Sequence, residues 1–188
     1  MPVKIELTAL VAVSVLFGGA SACAQGPVPT HCSTAERTFI SAKMQKVHGA
    51  KAGTTFSPTG KVLSICINAQ GPTITQMSYR YGAPGQVEFE QVATPTFRFA
   101  IFTRSTSAHT GENIIAFNKG NFHHYVSEAM GQGSGVSLVV FVNGKKITDL
   151  FSGNAEGEDF VSLRDDFDFD AINSPVLVKK APVDNLKW

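Results

Sequence analysis

The chain has 188 residues, 43% of them hydrophobic and 16% charged, with a formal net charge of +1 at pH 7. That length and apolar content are enough for a substantial core, and the near-neutral balance gives nucleic-acid binding no overall basic character to work with. No segment reaches the ~20 consecutive apolar residues that a membrane-spanning helix needs.

Residues 1–24 read as a secretory signal peptide. Lys4 stands near the start, an apolar run extends from Leu7 to Phe17, and Ala22-Cys23-Ala24 precedes Gln25. The Ala-x-Ala pattern predicts cleavage after Ala24. The alternative is lipidation of Cys23, and against it Ala20 occupies the position where lipoprotein signals carry a large aliphatic residue. Either route places the chain in the periplasm or outside the cell. Cleavage after residue 24 of the 188 leaves 164 residues with two cysteines, Cys32 and Cys66. An even count in an oxidising compartment predicts one disulfide, free buried thiols being the alternative. No His or Cys lies at metal-ligand spacing from either cysteine, so no metal site is expected there.

Residues 25–31 (QGPVPTH) form an extended lead-in, and residues 32–188 a single all-β domain. Short segments rich in Val, Ile, Phe, Thr and Tyr, separated by Gly, Pro, Asn and Ser, predict strands at 38–43, 61–67, 73–81, 86–91, 96–104, 113–117, 121–128, 137–142 and 145–151. About nine strands at this spacing predict an antiparallel sandwich or small barrel. Asn143-Gly144 fits a two-residue type I′ hairpin, and Asn118-Lys119-Gly120-Asn121 marks a second turn.

A third hairpin lies in MSYRYGAPGQVEFE, residues 77–90. Alternation puts Met77, Tyr79 and Tyr81 on one face with Val87 and Phe89, and Arg80 with Glu88 and Glu90 on the other. An odd loop keeps both faces clean, predicting the pairs Tyr81–Val87, Tyr79–Phe89 and Arg80–Glu88. The aromatic face then belongs to the core, leaving Arg80, Glu88, Glu90 and the turn for a partner.

His123 and His124 are adjacent in a strand and so point to opposite faces, which prevents them from sharing one metal ion. Gly131-Gln132-Gly133-Ser134-Gly135 matches neither a dinucleotide fingerprint nor a nucleophile elbow, and reads as a strand connection or an exposed loop that inserts into a partner's cleft. Glu156, Glu158, Asp159, Asp165, Asp166, Asp168 and Asp170 make residues 154–188 an acidic C-terminal segment with Arg164 as the one offsetting charge among residues 156–170. Its Asp166, Asp168 and Asp170 alternate with Phe167 and Phe169, which reads as a solvated acidic edge or an oxygen-rich cation site. Ser, His and Asp show no catalytic frame, so no enzyme and no cofactor are expected.

Cys32 with Glu36 and Phe39, the run Lys61-Val62-Leu63-Ser64-Ile65-Cys66, Tyr79-Arg80-Tyr81-Gly82 with Pro84-Gly85, Val87-Glu88-Phe89-Glu90, Phe117-Asn118-Lys119-Gly120, Tyr125 and Asn143-Gly144-Lys145 together resemble a group of small exported proteins of Gram-negative bacteria that mostly carry no assigned function. The resemblance spans residues 32–151 and implies fold and compartment. Gly133-Ser134-Gly135 is more loosely similar to part of the cleft-plugging loop of periplasmic lysozyme inhibitors, although Val136 and Ser137 stand where those proteins carry Tyr or Lys. The functional expectation is therefore an exported binding or inhibitory protein, such as one that neutralises a cell-wall-directed or toxin enzyme. Its candidate binding residues are Gly131, Gln132, Gly133, Ser134, Gly135, Arg80 and Glu88. The rival expectation is a structural or accessory envelope protein without an enzyme partner.

Overall fold

A computed structural model describes residues 28–49, 53–107, 110–130, 133–163, 169 and 171–181. The expected signal peptide, its cleavage site and Cys23 lie outside the described residues. So do Gly131, Gln132, Asp165, Asp166, Asp168 and Asp170.

The protein is all-β, and its described strands form one folded sheet with no helix. A first antiparallel meander comprises β1 (Arg37–His48), β2 (Thr55–Gln70), β3 (Thr73–Ala83) and β4 (Gln86–Val92). A second comprises β5 (Phe99–Ser107), β6 (Thr110–Lys119), β7 (Phe122–Met130), β8 (Gly135–Val142) and β9 (Lys145–Phe151). The two join where β9 pairs with the C-terminal half of β1, Gln45 opposite Phe151. Two short strands complete the sheet: β10 (Phe160–Ser162) lies antiparallel to the N-terminal half of β1, and β11 (Leu177–Lys179) lies parallel to β5. The β4 and β11 edges do not pair, so the architecture is a sandwich rather than a closed barrel.

Side-chain alternation builds the core between the meanders. Leu63, Ile65, Ile67, Met77 and Tyr79 come from the first, and Phe99, Ile101, Ile115, Phe117, Val126 and Leu138 from the second, all in one buried cluster. Each such side chain, fully removed from water, contributes about 1.5–3 kcal/mol.

The opposite face of the first meander is covered by the lead-in. Ser41 Oγ donates to Pro29 O at 2.8 Å, and His31 N donates to Ser64 Oγ at 3.0 Å. Cys32 and Cys66 are joined in a disulfide across a Cα–Cα distance of 5.4 Å, as their number predicts. Closing this loop of 34 residues stabilises the fold by about 3–4 kcal/mol in the chain-entropy model.

Strands β1 and β2 run further than their composition suggests. Pro58 and Gly60 read as a break, yet β2 continues through them because the register shifts between Met44 and Gln45, and Thr59 Oγ1 donates to Met44 O at 2.6 Å. A bulge is where a strand tolerates proline. The Asn143-Gly144 turn matches expectation, with φ of 50° and 75° between paired Val142 and Lys145.

The hairpin register in 77–90 differs from the prediction. Tyr81 pairs with Phe89, Arg80 with Glu90 and Tyr79 with Gln91, while Gly82 pairs with Val87. The turn is the two-residue Pro84-Gly85, and a bulge at Glu88 restores the parity that an odd loop was expected to supply. Tyr79, Tyr81 and Phe89 still share the inner face. Val87, expected there, is 43% exposed.

Gly82 makes this bulge possible, since a Cβ on it would overlap the backbone oxygen of Gln86 and the backbone nitrogen of Glu88. Gly82→Ala is expected to lower stability by about 2–4 kcal/mol, because backbone rather than a movable side chain must give way. Gly85→Ala, in open space at φ 77°, should cost only about 1–2 kcal/mol. Urea midpoints of the two variants, measured with the disulfide intact, check the order. Equal midpoints would contradict the bulge.

Candidate functional site

The sandwich opens at the end where the β3–β4, β6–β7 and β8–β9 turns gather. A cleft of about 650 Å³ enters there between the layers, within the 300–1,000 Å³ range usual for small-molecule sites. One wall is Tyr79, Tyr81 and Phe89 of the first meander, and the other is His124, Leu138 and Val140 of the second. Lys119, Phe122 and Ile147 stand at the mouth. Phe122 and Ile147 are exposed although large and apolar.

Each wall follows from local pattern. Tyr79 and Tyr81 alternate inward along β3, and Phe89 joins them as the cross-strand partner of Tyr81. In β7, His124 and Val126 point inward while His123 and Tyr125 point outward, as strand geometry requires.

His124 is the polar member of the His124, Leu138 and Val140 wall. It is 8% exposed and lies flat on Phe117, with ring centroids 4.6 Å apart and planes 7° apart. Its ring also stacks on Phe89 at 5.2 Å and meets Tyr79 edge-on at 5.9 Å. Its Nδ1 is buried with no hydrogen-bond partner among the described residues. Burial, reinforced by the positive charges of Lys119 and His123, pushes the imidazole down to about 4, so it is neutral at pH 7. At the rim, Lys119 Nζ sits 4.5 Å from the centre of the Phe89 ring, a cation–π contact. No carboxylate pairs with Lys119 among the described residues.

A smaller lobe of about 370 Å³ adjoins the cleft through Tyr81, Ile147 and Thr148, and brings in Lys46, Lys146 and Asp149. Lys146 is paired with Asp149 at 2.5 Å.

The residues singled out from sequence do not converge here. Arg80 lies on the outer face, where Nη1 and Nη2 donate to the Glu36 carboxylate at 2.6 and 3.0 Å, Nε donates to Glu90 at 2.7 Å, and Nη1 also reaches His31 O at 3.0 Å. This is a structural clamp on the lead-in. Glu88, expected opposite Arg80, is instead paired with Lys61. Gly133 and Ser134 lie in the β7–β8 connection and Gly135 opens β8, at the other end of β7 from Phe122 and His124. Gly135 is buried, and a Cβ there would strike the Phe151 ring and the Gly153 carbonyl, so its glycine serves packing.

His123, on the outer face, hydrogen-bonds Asn118 Oδ1 at 2.8 Å and lines a smaller groove of about 410 Å³ with Arg98, Tyr125 and Lys180. Among the described residues no three His, Cys, Asp or Glu side chains are grouped to hold a metal ion, and no helix is long and apolar enough to cross a membrane.

Fold and site together define a disulfide-linked β-sandwich with an apolar cleft between its layers. No protein-family model, curated protein or solved structure matches the chain.

Proposed function

We propose that the protein is an exported, non-catalytic binding protein whose inter-layer cleft holds an apolar ligand. The observation that carries this reading is the cleft itself, an aromatic and aliphatic cavity of about 650 Å³ left open where core packing would otherwise close it. The disulfide and the signal-type N-terminus support export to the periplasm or beyond. Absence of a nucleophile–base frame in the sequence supports binding rather than catalysis.

The test uses N-phenyl-1-naphthylamine, a neutral apolar dye that fluoresces out of water. Adding it to the purified protein is expected to give saturable fluorescence. Val140→Trp should fill the cleft and abolish the signal while the disulfide and the β-type circular dichroism persist. Fluorescence that is absent, or untouched by Val140→Trp, removes the cleft as a ligand site.

A second reading, binding of a cell-wall-directed or toxin enzyme through the Gly133–Gly135 turn, is favoured by Gly133. It adopts φ 94° with open space around it, which suits close approach by a partner's backbone. Retention of a muralytic enzyme by the wild type and not by Ser134→Trp would support it.

A further inference from the structure

We infer that the ligand of the cleft is a medium-chain carboxylate, bound tail-in with its head at Lys119 and carrying a hydroxyl close to that head for His124. This rests on the cleft being a ligand site and adds what the ligand must be. The interior offers carbon to an apolar chain, whose transfer from water is worth about 0.8 kcal/mol per CH₂. It offers an anion no opposite charge, because a carboxylate desolvated among Tyr79, Phe89, Leu138 and Val140 would have no cation beside it. The charged end therefore stays at the mouth.

The mouth carries the matching cation. Lys119 Nζ is the cation of the cleft lining and rests on the Phe89 ring without a carboxylate partner among the described residues, whereas Lys146 and Lys46 line the adjoining lobe, Lys146 paired with Asp149. A ligand head at Lys119 gains a charge-assisted hydrogen bond that the free protein does not make there.

Besides the hydroxyl-bearing Tyr79, Tyr81 and Thr148, the lining holds one nitrogen without a partner among the described residues. His124 lines the cleft, and its Nδ1 is unpartnered but covered, so a ligand hydroxyl meets it only after a small turn of the imidazole, a move that the cost of an unpaired buried nitrogen favours. A neutral imidazole nitrogen serves a hydroxyl as either donor or acceptor. The Lys119 Nζ lies 4.5 Å from the Phe89 centroid and that centroid 5.2 Å from the His124 centroid, so cation and imidazole are less than 10 Å apart. A hydroxyl a few bonds from the carboxylate spans that interval, and one near the tail end does not.

Competition against bound N-phenyl-1-naphthylamine tests this, with decanol, decanoate and 3-hydroxydecanoate as competitors. Decanoate is expected to displace the dye at lower concentration than decanol, and 3-hydroxydecanoate at about fivefold lower concentration than decanoate. In Lys119→Ala, whose own dye affinity is measured first and used to normalise the competition, both acids should weaken about five- to tenfold relative to decanol. His124→Phe keeps a flat ring in the stack and should erase the difference between the two acids. If the dye binds but the acids compete no better than decanol, or if either variant leaves its contrast unchanged, this inference is wrong while the cleft remains a site. If the dye does not bind at all, the cleft reading fails first.

Discussion

Arg80→Ala is expected to destabilise the protein by about 3–5 kcal/mol. The guanidinium is 16% exposed and the Glu36 carboxylate 8% exposed. The two form a bidentate pair that also ties down His31 O and approaches Cys66 Sγ at 3.4 Å. Hydrogen bonding from Arg80 holds the Glu36 carboxyl below its ordinary value, against the desolvation that acts to raise it. Removing the arginine strands a buried anion. Removing only the charge of the partner, in Glu36→Gln, leaves Arg80 its bond to Glu90 and should cost less, about 1–2 kcal/mol.

Pairing Arg80→Leu with Glu36→Leu removes both charges and should recover part of the loss seen in Arg80→Ala. Urea unfolding of the disulfide-intact protein measures all three. A loss below 1 kcal/mol in Arg80→Ala would mean that the lead-in is held by its serine contacts and the disulfide alone.

How much of this could be read from sequence depends on whether each feature is local. Strands β3 to β9, the Asn143-Gly144 turn and the opposite orientations of His123 and His124 follow from alternation and turn chemistry within a few residues, whereas the three-residue β10 and β11 are too short to show a period. The disulfide follows from cysteine count and compartment. The register of 77–90 was not legible, because Gly82 admits a bulge that side-chain parity alone does not reveal. The same bulge explains why Arg80 meets Glu90 while Glu88 turns to Lys61.

The cleft was legible only in its parts. Tyr79, Tyr81 and Phe89 read as core residues, and they are, but the core they face is not filled. An inward His in an otherwise apolar alternation and a lysine in the turn preceding it were the available signals. What joins them is the approach of β3–β4 to β6–β7, which brings Phe89 to Lys119 and His124 through the folding of the sheet, and no spacing rule encodes that.

Stability should fall by about 2 kcal/mol between pH 7 and pH 4.5, and His124 should account for it. In the unfolded chain an imidazole titrates near 6.5, whereas in the folded protein burial, Lys119 and His123 hold His124 down to about 4. Between those values the unfolded state binds a proton that the folded state refuses. Stability is therefore full above about pH 6.5 and is lost progressively as pH falls toward 4. The Glu36 carboxyl, lowered by Arg80, contributes in a separate window below its ordinary 4.5, so the loss above pH 4.5 is not its doing. His124→Phe preserves the stack on Phe117 and should flatten the profile across this range. Lys119→Ala removes one of the charges that depress the imidazole and should make the slope shallower without abolishing it. Chemical denaturation at half-unit pH intervals distinguishes the three proteins. An undiminished slope in His124→Phe would assign the titration to another group and show that the imidazole in the cleft wall is not held neutral by its surroundings.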